Sequence, residues 1–421
     1  MQGVLMAANS LTWHRLPIVS LCEAHVDCVN RTAHVVNEPT PFKMLRTTNV
    51  RDGYIDTENV RYVTEETYKK WTRRLVPKRG DIILTREAPL GNVGKIRTDD
   101  LVFLGQRLYH FRPDPKRLNA DFLLYSFLGD DLQSQIKGFG SGSTVEHMRL
   151  EDIPSLELNV PPLPVQQRIA SILSAYDDLI ENNQRRIKIL EEMARSLYRE
   201  WFVYFRFPGH ENHPRVPSPL GEIPKGWEVR KLADFVTTKY GYTESSNTNP
   251  VGPKYLRGMD INKNSFIDWS EVPYCPIESQ DFDAYRLRIG DVLVIRMADP
   301  GKVGIVEQEV AAVFASYLIR VTPKGNRLTP YFLFYLMESA EYYAFITGAS
   351  TGTTRKSASA GVIAEYQFFL PPQNLVQQFE EKVSEIRSLL NTLLKQTINL
   401  RSTRDLLLPR LLSGQIDVEA I

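Results

Sequence analysis

"GDIILTREAPLGNVGK" (Gly80–Lys95) and "GDVLVIRMADPGKVGI" (Gly290–Ile305) are one phrase written twice, 210 residues apart. Over the 17 positions from Gly80 to Ile96 that offset gives seven identities: Gly80, Asp81, Arg86, Ala88, Gly91, Val93 and Gly94 against Gly290, Asp291, Arg296, Ala298, Gly301, Val303 and Gly304. The same offset lays "LYHFRPDPKRLNADFLLY" from Leu108 on "LIRVTPKGNRLTPYFLFY" from Leu318, matching Arg117 to Arg327, Phe122 to Phe332 and Tyr125 to Tyr335. It persists through Gly138 and Gly348, Gly142 and Gly352, Thr144 and Thr354, to the proline pairs Pro161-Pro162 and Pro371-Pro372. One inserted residue then brings "VQQ" at Val165 onto "VQQ" at Val376. A repeat of half the chain is far longer than a solenoid period, so it marks two whole domains.

Of 421 residues 43% are apolar and 24% charged, an ordinary globular balance in which each half can bury its own core. The three cysteines, Cys22, Cys28 and Cys275, are odd in number and have no CxxC or Cys/His metal spacing, which suits a reduced, cytoplasmic setting. His210 and His213 sit in a proline-rich stretch without further ligands and read as a solvated linker, since structural zinc takes four. No stretch approaches the ~20 apolar residues of a membrane span, and "MQGVLMAANS" lacks the charged start and apolar run of a signal peptide, so a soluble protein with no membrane partner is expected. A net charge of +1 argues against a freestanding nucleic-acid binder and suits a component of a larger assembly. Charge is local instead: "TYKKWTRRLVPKR" (Thr67–Arg79) has six basic residues, no acidic one, and the aromatics Tyr68 and Trp71, and reads either as a solvated face or as a nucleic-acid patch.

Four segments follow: a mixed domain over 1–163, a helix over 164–205, a second mixed domain over 206–372 and a second helix over 373–421. Runs such as "DIILTR", "DVLVIR" and "AVFASYLIRV", punctuated by Gly, Pro, Asn and Asp, predict strands joined by turns. "NADFLLYSFLGDDLQSQIKG" and "TPYFLFYLMESAEYYAFITG" each predict one amphipathic helix from a capping residue to a glycine. The fold class is α+β with β-rich domains. "FRFPGHENHPRVPSPLGEIPKGW" has the prolines and glycines of a linker and marks the boundary before the second domain.

In the first long helix Leu173, Tyr176, Ile180, Asn183, Ile187, Leu190, Ala194, Leu197 and Trp201 alternate steps of three and four, the seam of a coiled coil. The second helix does likewise through Phe379, Val383, Ile386, Leu390, Leu393, Thr397, Leu400, Leu407 and Leu411. Neither can bury its stripe alone, so the two are expected to pair. At 1.5 Å per residue a helix of nearly forty residues is roughly 55–60 Å long. Asn183 on the seam costs some stability and can fix register.

Catalytic motifs are missing. "GNVGKI" lacks the GxxxxGK[ST] spacing of a phosphate loop, and there is no GxGxxG, GxSxG or HExxH. "VPPL" and "LPPQ" have the prolines of an amino-methyltransferase signature without its neighbours, and Glu380-Glu381-Lys382 falls on a helix face rather than in a nuclease cluster.

Together the paired "GD…R…G.VG" blocks, the "PP…VQQ" starts of both helices, "SLYREWFVYFRFPGHE", "GEIPKGWEVRKLADF" and "RDLLLPRLLSGQIDV" make the chain similar, over essentially its full length, to the specificity subunit of type I restriction-modification systems. The resemblance implies two target recognition domains, each reading one half of a bipartite, asymmetric double-stranded DNA sequence, separated by two long helices packed as an antiparallel coiled-coil spacer. It also implies that methyltransferase subunits, two of them, dock on that spacer. Restriction (translocase-nuclease) subunits then join for cleavage. S-adenosylmethionine, ATP and Mg belong to those partners and none to this chain, which is not an enzyme by itself. The helix positions that fall to spacer and docking are Leu173, Ile180, Asn183, Ile187, Leu190, Leu197, Val383, Ile386, Leu390, Leu393 and Leu400. Competing readings are a structural hub whose helices merely dimerise, an autonomous methyltransferase or nuclease, and the specificity subunit of a related type IIB or IIG-like enzyme.

Within the duplicated phrase the glycines and Asp81 and Asp291 are assigned to turns and caps. Arg86 and Arg296, shared by both copies, should not specify different sequences, which favours phosphate anchoring or an internal ion pair over base readout. Readers are expected where the copies diverge, in "GFGSGSTVEHMR" (Ser141, Ser143, Thr144, His147, Arg149) and "GASTGTTRKSAS" (Thr351, Thr353, Thr354, Arg355, Lys356). A second group is Lys43, Arg46, Tyr240, Tyr242 and Arg257.

Overall fold

The computed structural model describes residues 13–140, 146–350 and 356–419. The chain divides into two compact units, one of residues up to Asn182 together with those from Gln396 onward, the other Asn183–Lys395. The dividing lines fall inside the two long helices, so each unit contains a domain and a part of both helices.

In the first unit strands β1 (Cys22–Asp27), β2 (Ile82–Arg86), β3 (Leu90–Lys95) and β4 (Leu108–Pro113) form an antiparallel sheet in the order β1-β4-β2-β3. Ile82, Ile83, Leu84, Leu108 and Phe111 of the two central strands are all buried because both faces of the sheet are covered there. Ile82, Leu84, Tyr109 and Phe111 pack on helices α1 (Ala120–Leu128) and α2 (Asp130–Phe139) and on the start of the long helix α3 (Leu163–Tyr198). Ile83 and Leu108 point the other way, into a core with Leu45, Val102 and Leu104 from the parallel pair Phe42–Leu45 and Leu101–Leu104.

The second unit repeats the plan with β5 (Val236–Tyr240), β6 (Val292–Ile295), β7 (Val303–Ile305) and β8 (Leu318–Pro323), ordered β5-β8-β6-β7. Helices α4 (Pro330–Glu338) and α5 (Ala340–Ala349) cover one face, and the parallel pair Lys254–Leu256 with Ala312–Phe314 lies beyond the other; the last long helix is α6 (Gln373–Leu412). The offset of 210 survives in the pairing: Ile82↔Phe111 and Ile83↔Gly94 become Val292↔Val321 and Leu293↔Gly304. Two glycines show why the phrase could not drift. A Cβ on Gly94 would lie 2.5 Å from the Tyr54 carbonyl oxygen, and one on Gly304 2.7 Å from Ile261 Cγ2.

Asp81 and Asp291 cap turns as expected, accepting from the Lys78 and Arg288 backbone N–H groups at 2.9 Å. They are also buried charges, which need partners. Asp81 takes Arg112 (2.7 and 2.9 Å) and His110 (2.6 Å). In the second copy the cation has moved two residues along the strand: Arg320 stands at the His110 position, 3.4 Å from Asp291, and Thr322 at the Arg112 position. Burial works to raise the Asp81 carboxyl, but hydrogen bonds from Arg112 and His110 outweigh it and hold the group below the ordinary carboxylate value.

Three expectations are corrected. Each predicted amphipathic helix is two, because Gly129 (φ −79°, ψ 156°) and Ser339 (φ −63°, ψ 152°) are extended, and Ser339 Oγ accepts from the Tyr342 N–H to start α5. The linker-like stretch is built structure. Arg215–Ser218 pairs with Gly221–Pro224, Phe205, Phe207, Ile223 and Trp227 are buried, and His210 and His213 each meet a backbone carbonyl at 2.8 Å. Its prolines stop a helix, while its aromatics supply the burial that a loose linker lacks.

The third correction concerns the seams. Within the second unit α3 and α6 run antiparallel, Ile187 and Leu190 packing with Leu393 and Leu390, and Tyr198 and Trp201 with Phe379. Within the first, Leu173 shares a core with Leu411. The buried stripe is wider than a heptad seam: Tyr176, Leu197, Ile386 and Leu400 are only half-buried, while Asp177, Tyr198 and Arg387 beside them are buried. A straight helix drifts against a 3.5-residue repeat, and here each domain covers the flank of the seam. Among the described residues no helix is long and apolar enough to cross a membrane.

Asp81→Ala would leave the largely buried Arg112 guanidinium without its carboxylate and should destabilise the chain by about 3–5 kcal/mol in denaturant titration. Since the folded carboxyl titrates below its unfolded value, its contribution is present above about pH 4 and lost as pH falls through the lower folded value. The variant should therefore show a weaker loss of stability over that acid range than the parent chain. Gly94→Ala, which meets backbone rather than a movable side chain, should lower the melting temperature sharply, whereas Gly80→Ala, with no atom near its Cβ, carries only the strain of its positive φ.

Candidate nucleic-acid interface

At the end of β2 the chain turns through Glu87, Ala88 and Pro89 into β3, and at the end of β6 through Met297 to Pro300 into β7. Ala88 and Ala298, equivalent residues, both adopt left-handed conformations (φ 49° and 73°), which cost an alanine of order 1–3 kcal/mol and persist only when surroundings enforce them. Main-chain bonds do the enforcing. Arg86 N–H donates to the Arg107 carbonyl (2.8 Å) and Arg296 N–H to the Tyr317 carbonyl (3.0 Å); Met148 N–H donates to Arg86 and Ala358 N–H to Arg296, both at 2.9 Å. Glu87 pairs with His147 and Met297 with Ser357 in antiparallel bridges. Each turn is thereby clasped to the segment following α2 or α5.

The clasp joins residues that the sequence had nominated separately. Arg86 donates from Nη1 to the Met148 carbonyl at 2.9 Å, beside His147. In the second unit the Arg296 guanidinium lies 5.0 Å from the Tyr240 ring centre, and the Tyr240 hydroxyl accepts from the Ala360 N–H at 3.0 Å. The Lys356 carbonyl accepts from Ala298 N–H at 3.1 Å, and its side chain is exposed. Among the described residues no carboxylate is within 4.0 Å of the Arg86 or Arg296 guanidinium, so of the two roles weighed for them the internal ion pair is not made. Arg149 is exposed, its guanidinium pairing with the exposed Glu151 at 3.3 Å, a contact weak enough to exchange for a phosphate.

The second group is largely committed inside the protein. Lys43 pairs with Asp100 at 3.0 Å. Arg46 and Arg257 occupy matching places after the parallel strands, their backbone N–H groups held by Asn49 and Asp260, and Arg257 also chelates Asp260 at 2.8 and 3.0 Å. Tyr242 packs against Tyr285, the two rings tilted with their centres 5.2 Å apart. The basic run is split in the same way. Tyr68 and Trp71 pack on Phe103, Arg74 holds Asp27 at 2.6 Å, and Lys70, Arg73 and Arg79 are exposed. Ser141, Ser143, Thr144, Thr351, Thr353, Thr354 and Arg355 lie outside the described residues.

Sequence reasoning overlooked Arg107 and Tyr317, which are equivalent, differ between copies, and touch the shared arginines through the backbone; Tyr317 is 53% exposed. The signal was available in the rule that readers diverge beside a shared anchor. It also missed Lys302, 5.1 Å from the ring centre of Tyr343, whose hydroxyl is raised by the neighbouring Asp299 carboxylate. No group of three or more His, Cys, Asp or Glu side chains among the described residues is placed to hold a metal ion.

The family model for the type I restriction modification DNA specificity domain matches residues 33–192 and again 224–401. The chain belongs to this family. Among similar proteins is the type I restriction enzyme MjaIX specificity subunit of Methanocaldococcus jannaschii, 27% identical over 376 residues that cover 86% of this chain and 83% of that one. The type I restriction enzyme HindI specificity subunit of Haemophilus influenzae is 21% identical over 405 residues, covering 80% and 87%. The crystal structure of the type I restriction-modification system S subunit from M. genitalium shares the fold, with a TM-score of 0.58 at 17% identity over 98% of this chain and 99% of that one.

If the Lys356 side chain meets a phosphate, Lys356→Ala should weaken DNA binding uniformly across sequences and reduce the salt dependence by about one counterion, without altering the melting temperature. Salt-titrated binding beside thermal unfolding checks this.

Proposed function

We propose that this chain is the non-catalytic DNA-specificity subunit of a type I restriction-modification complex. Each domain reads one half of a bipartite, asymmetric target. The paired helices set the half-site separation and dock two methyltransferase subunits, and restriction subunits join these; S-adenosylmethionine, ATP and Mg act on the partners. The reading is carried by one observation: two copies of a frame keep the same backbone register while the side chains at the clasped turn differ, Arg107 and His147 in one against Tyr317, Tyr240 and Lys356 in the other.

Shared cations beside divergent polar and aromatic side chains suit the division of labour in DNA recognition. Arg86 and Arg296 would anchor phosphates and set register, and the divergent residues would meet base edges in the groove. Because base edges rotate with helical pitch, two readers on one support are sensitive to spacing. Purified with its methyltransferase subunits, the chain should methylate one bipartite sequence, and adding or removing one base pair between the half-sites should cost about tenfold or more in binding. Binding indifferent to spacing and sequence would instead indicate a protein-interaction hub. Transplanting domain 2 of a relative should change only one half of the methylated sequence.

A further inference from the structure

Arg387 of α6 is fully buried, yet no reading of the helix as a heptad seam assigns it a purpose. Its guanidinium forms an ion pair with Glu307, with Nε donating to Oε1 at 2.8 Å, and donates to the Ser265 hydroxyl and carbonyl, both at 2.9 Å. Ser265 in turn donates from its N–H to Glu191 of α3 at 3.2 Å, and Tyr331 donates to Glu307 at 3.0 Å. Burial works to lower the Arg387 pKa, but Glu307 outweighs it and the group stays cationic. Domain 2 thus presents an acid, Glu307, to a helix cation.

The equivalent positions in the first unit are filled differently. Arg387, Glu307 and Tyr335 correspond to Tyr176, Arg97 and Tyr125 by the offset of 210 and, past the inserted residue, of 211. There the domain carries the cation, Arg97, stacked 4.6 Å from the Tyr54 ring centre, and the helix carries the buried acid, Asp177, which accepts from the Tyr125 hydroxyl and from Arg404, each at 2.6 Å. Tyr335, the counterpart of Tyr125, is buried beside the Arg387 guanidinium. The charge crossing the domain-helix junction therefore differs between the copies: Glu307 meets Arg387 across it in the second, whereas in the first Asp177 finds its cation, Arg404, on the other long helix and meets the domain through the Tyr125 hydroxyl. Domain 1 on the Arg387 stretch would set Arg97 where Glu307 stands, beside a second guanidinium, while domain 2 on the other stretch would set Glu307 opposite Tyr176, with no cation in the place of Arg387.

We infer that this difference is a matching code that assigns each domain to its own stretch of the helices, and that Arg387 and Glu307 are positioning residues fixing the orientation of domain 2. A buried ion pair is a poor source of stability but a strict geometric constraint, since its guanidinium and carboxylate must meet in one arrangement. The DNA readout of the test rests on the proposed function. In the full chain with its methyltransferase subunits, Arg387→Glu and Glu307→Arg, each burying like charges, should lower the melting temperature and abolish bipartite binding, and the two together should restore both. The apolar pair Arg387→Met with Glu307→Leu separates positioning from stability. It should keep the melting temperature and the affinity for a duplex carrying one half-site. Its preference for the native half-site spacing should fall by about tenfold or more, and amide exchange at Ser265 should quicken. Retention of both the spacing preference and the Ser265 protection by the apolar pair would overturn the inference. Absence of any spacing preference in the unmodified complex would sink the proposed function alone, and the exchange measurement would still decide the role of the pair.

Discussion

Neither long helix has an apolar stripe that it can bury alone, and the organisation of each unit depends on meeting that need. In each unit the stripe is wider than two helices can cover for each other, and the domain supplies the third surface. In the second unit Phe332, Tyr335 and Phe368 close over Tyr198, Phe202 and Phe379; in the first, Leu123, Leu156 and Leu158 share a core with Leu173 and Leu411. The domain's own two-sided sheet is similarly incomplete without α1 and α2, or α4 and α5, so each domain and its helix stretch form one continuous core. Polar groups then select among the many ways of packing apolar surfaces, which is why the buried charges Asp81, Asp177, Asp291 and Arg387 all stand at junctions between elements.

Much of this was legible in the sequence. The offset of 210 read from seven identities extends to strand register and to individual backbone hydrogen bonds, because those bonds depend on spacing and on glycines such as Gly94 and Gly304 that admit no substitute. Where chemistry is conserved but its position is not, reading failed: the partner of the buried aspartate passes from Arg112 to Arg320, two residues apart on the same strand face, and an alignment registers only a mismatch. Periodicity also misled. A seam read as apolar excludes Asp177 and Arg387, although a charge with partners on the facing domain belongs there as firmly as leucine. The helix breaks at Gly129 and Ser339 hid behind continuous amphipathic runs, since one extended residue rotates the following helix without altering its composition.

For the candidate site, Arg86 and His147 in one copy and Arg296, Tyr240 and Lys356 in the other were gathered by a feature invisible to composition, the left-handed Ala88 and Ala298 and the bonds that hold them. Lys43 and Arg257 show the converse. Both are cationic, near divergent loops and plausible by sequence, yet each has a carboxylate close by, and a cation already neutralised has less to offer a phosphate. Counting positive residues overestimates an interface unless internal partners are subtracted.

The clasp that closes each turn is made of peptide groups: Met148 to Arg86 in one copy, Ala358 and Ala298 to Arg296 and Lys356 in the other. Such a fastening is blind to side-chain identity, proline excepted. Backbone bonds of this kind can survive exchanges of the side chains at His147, Arg149, Lys356 or Ser357. One backbone frame can therefore be inherited while the residues along the clasp vary.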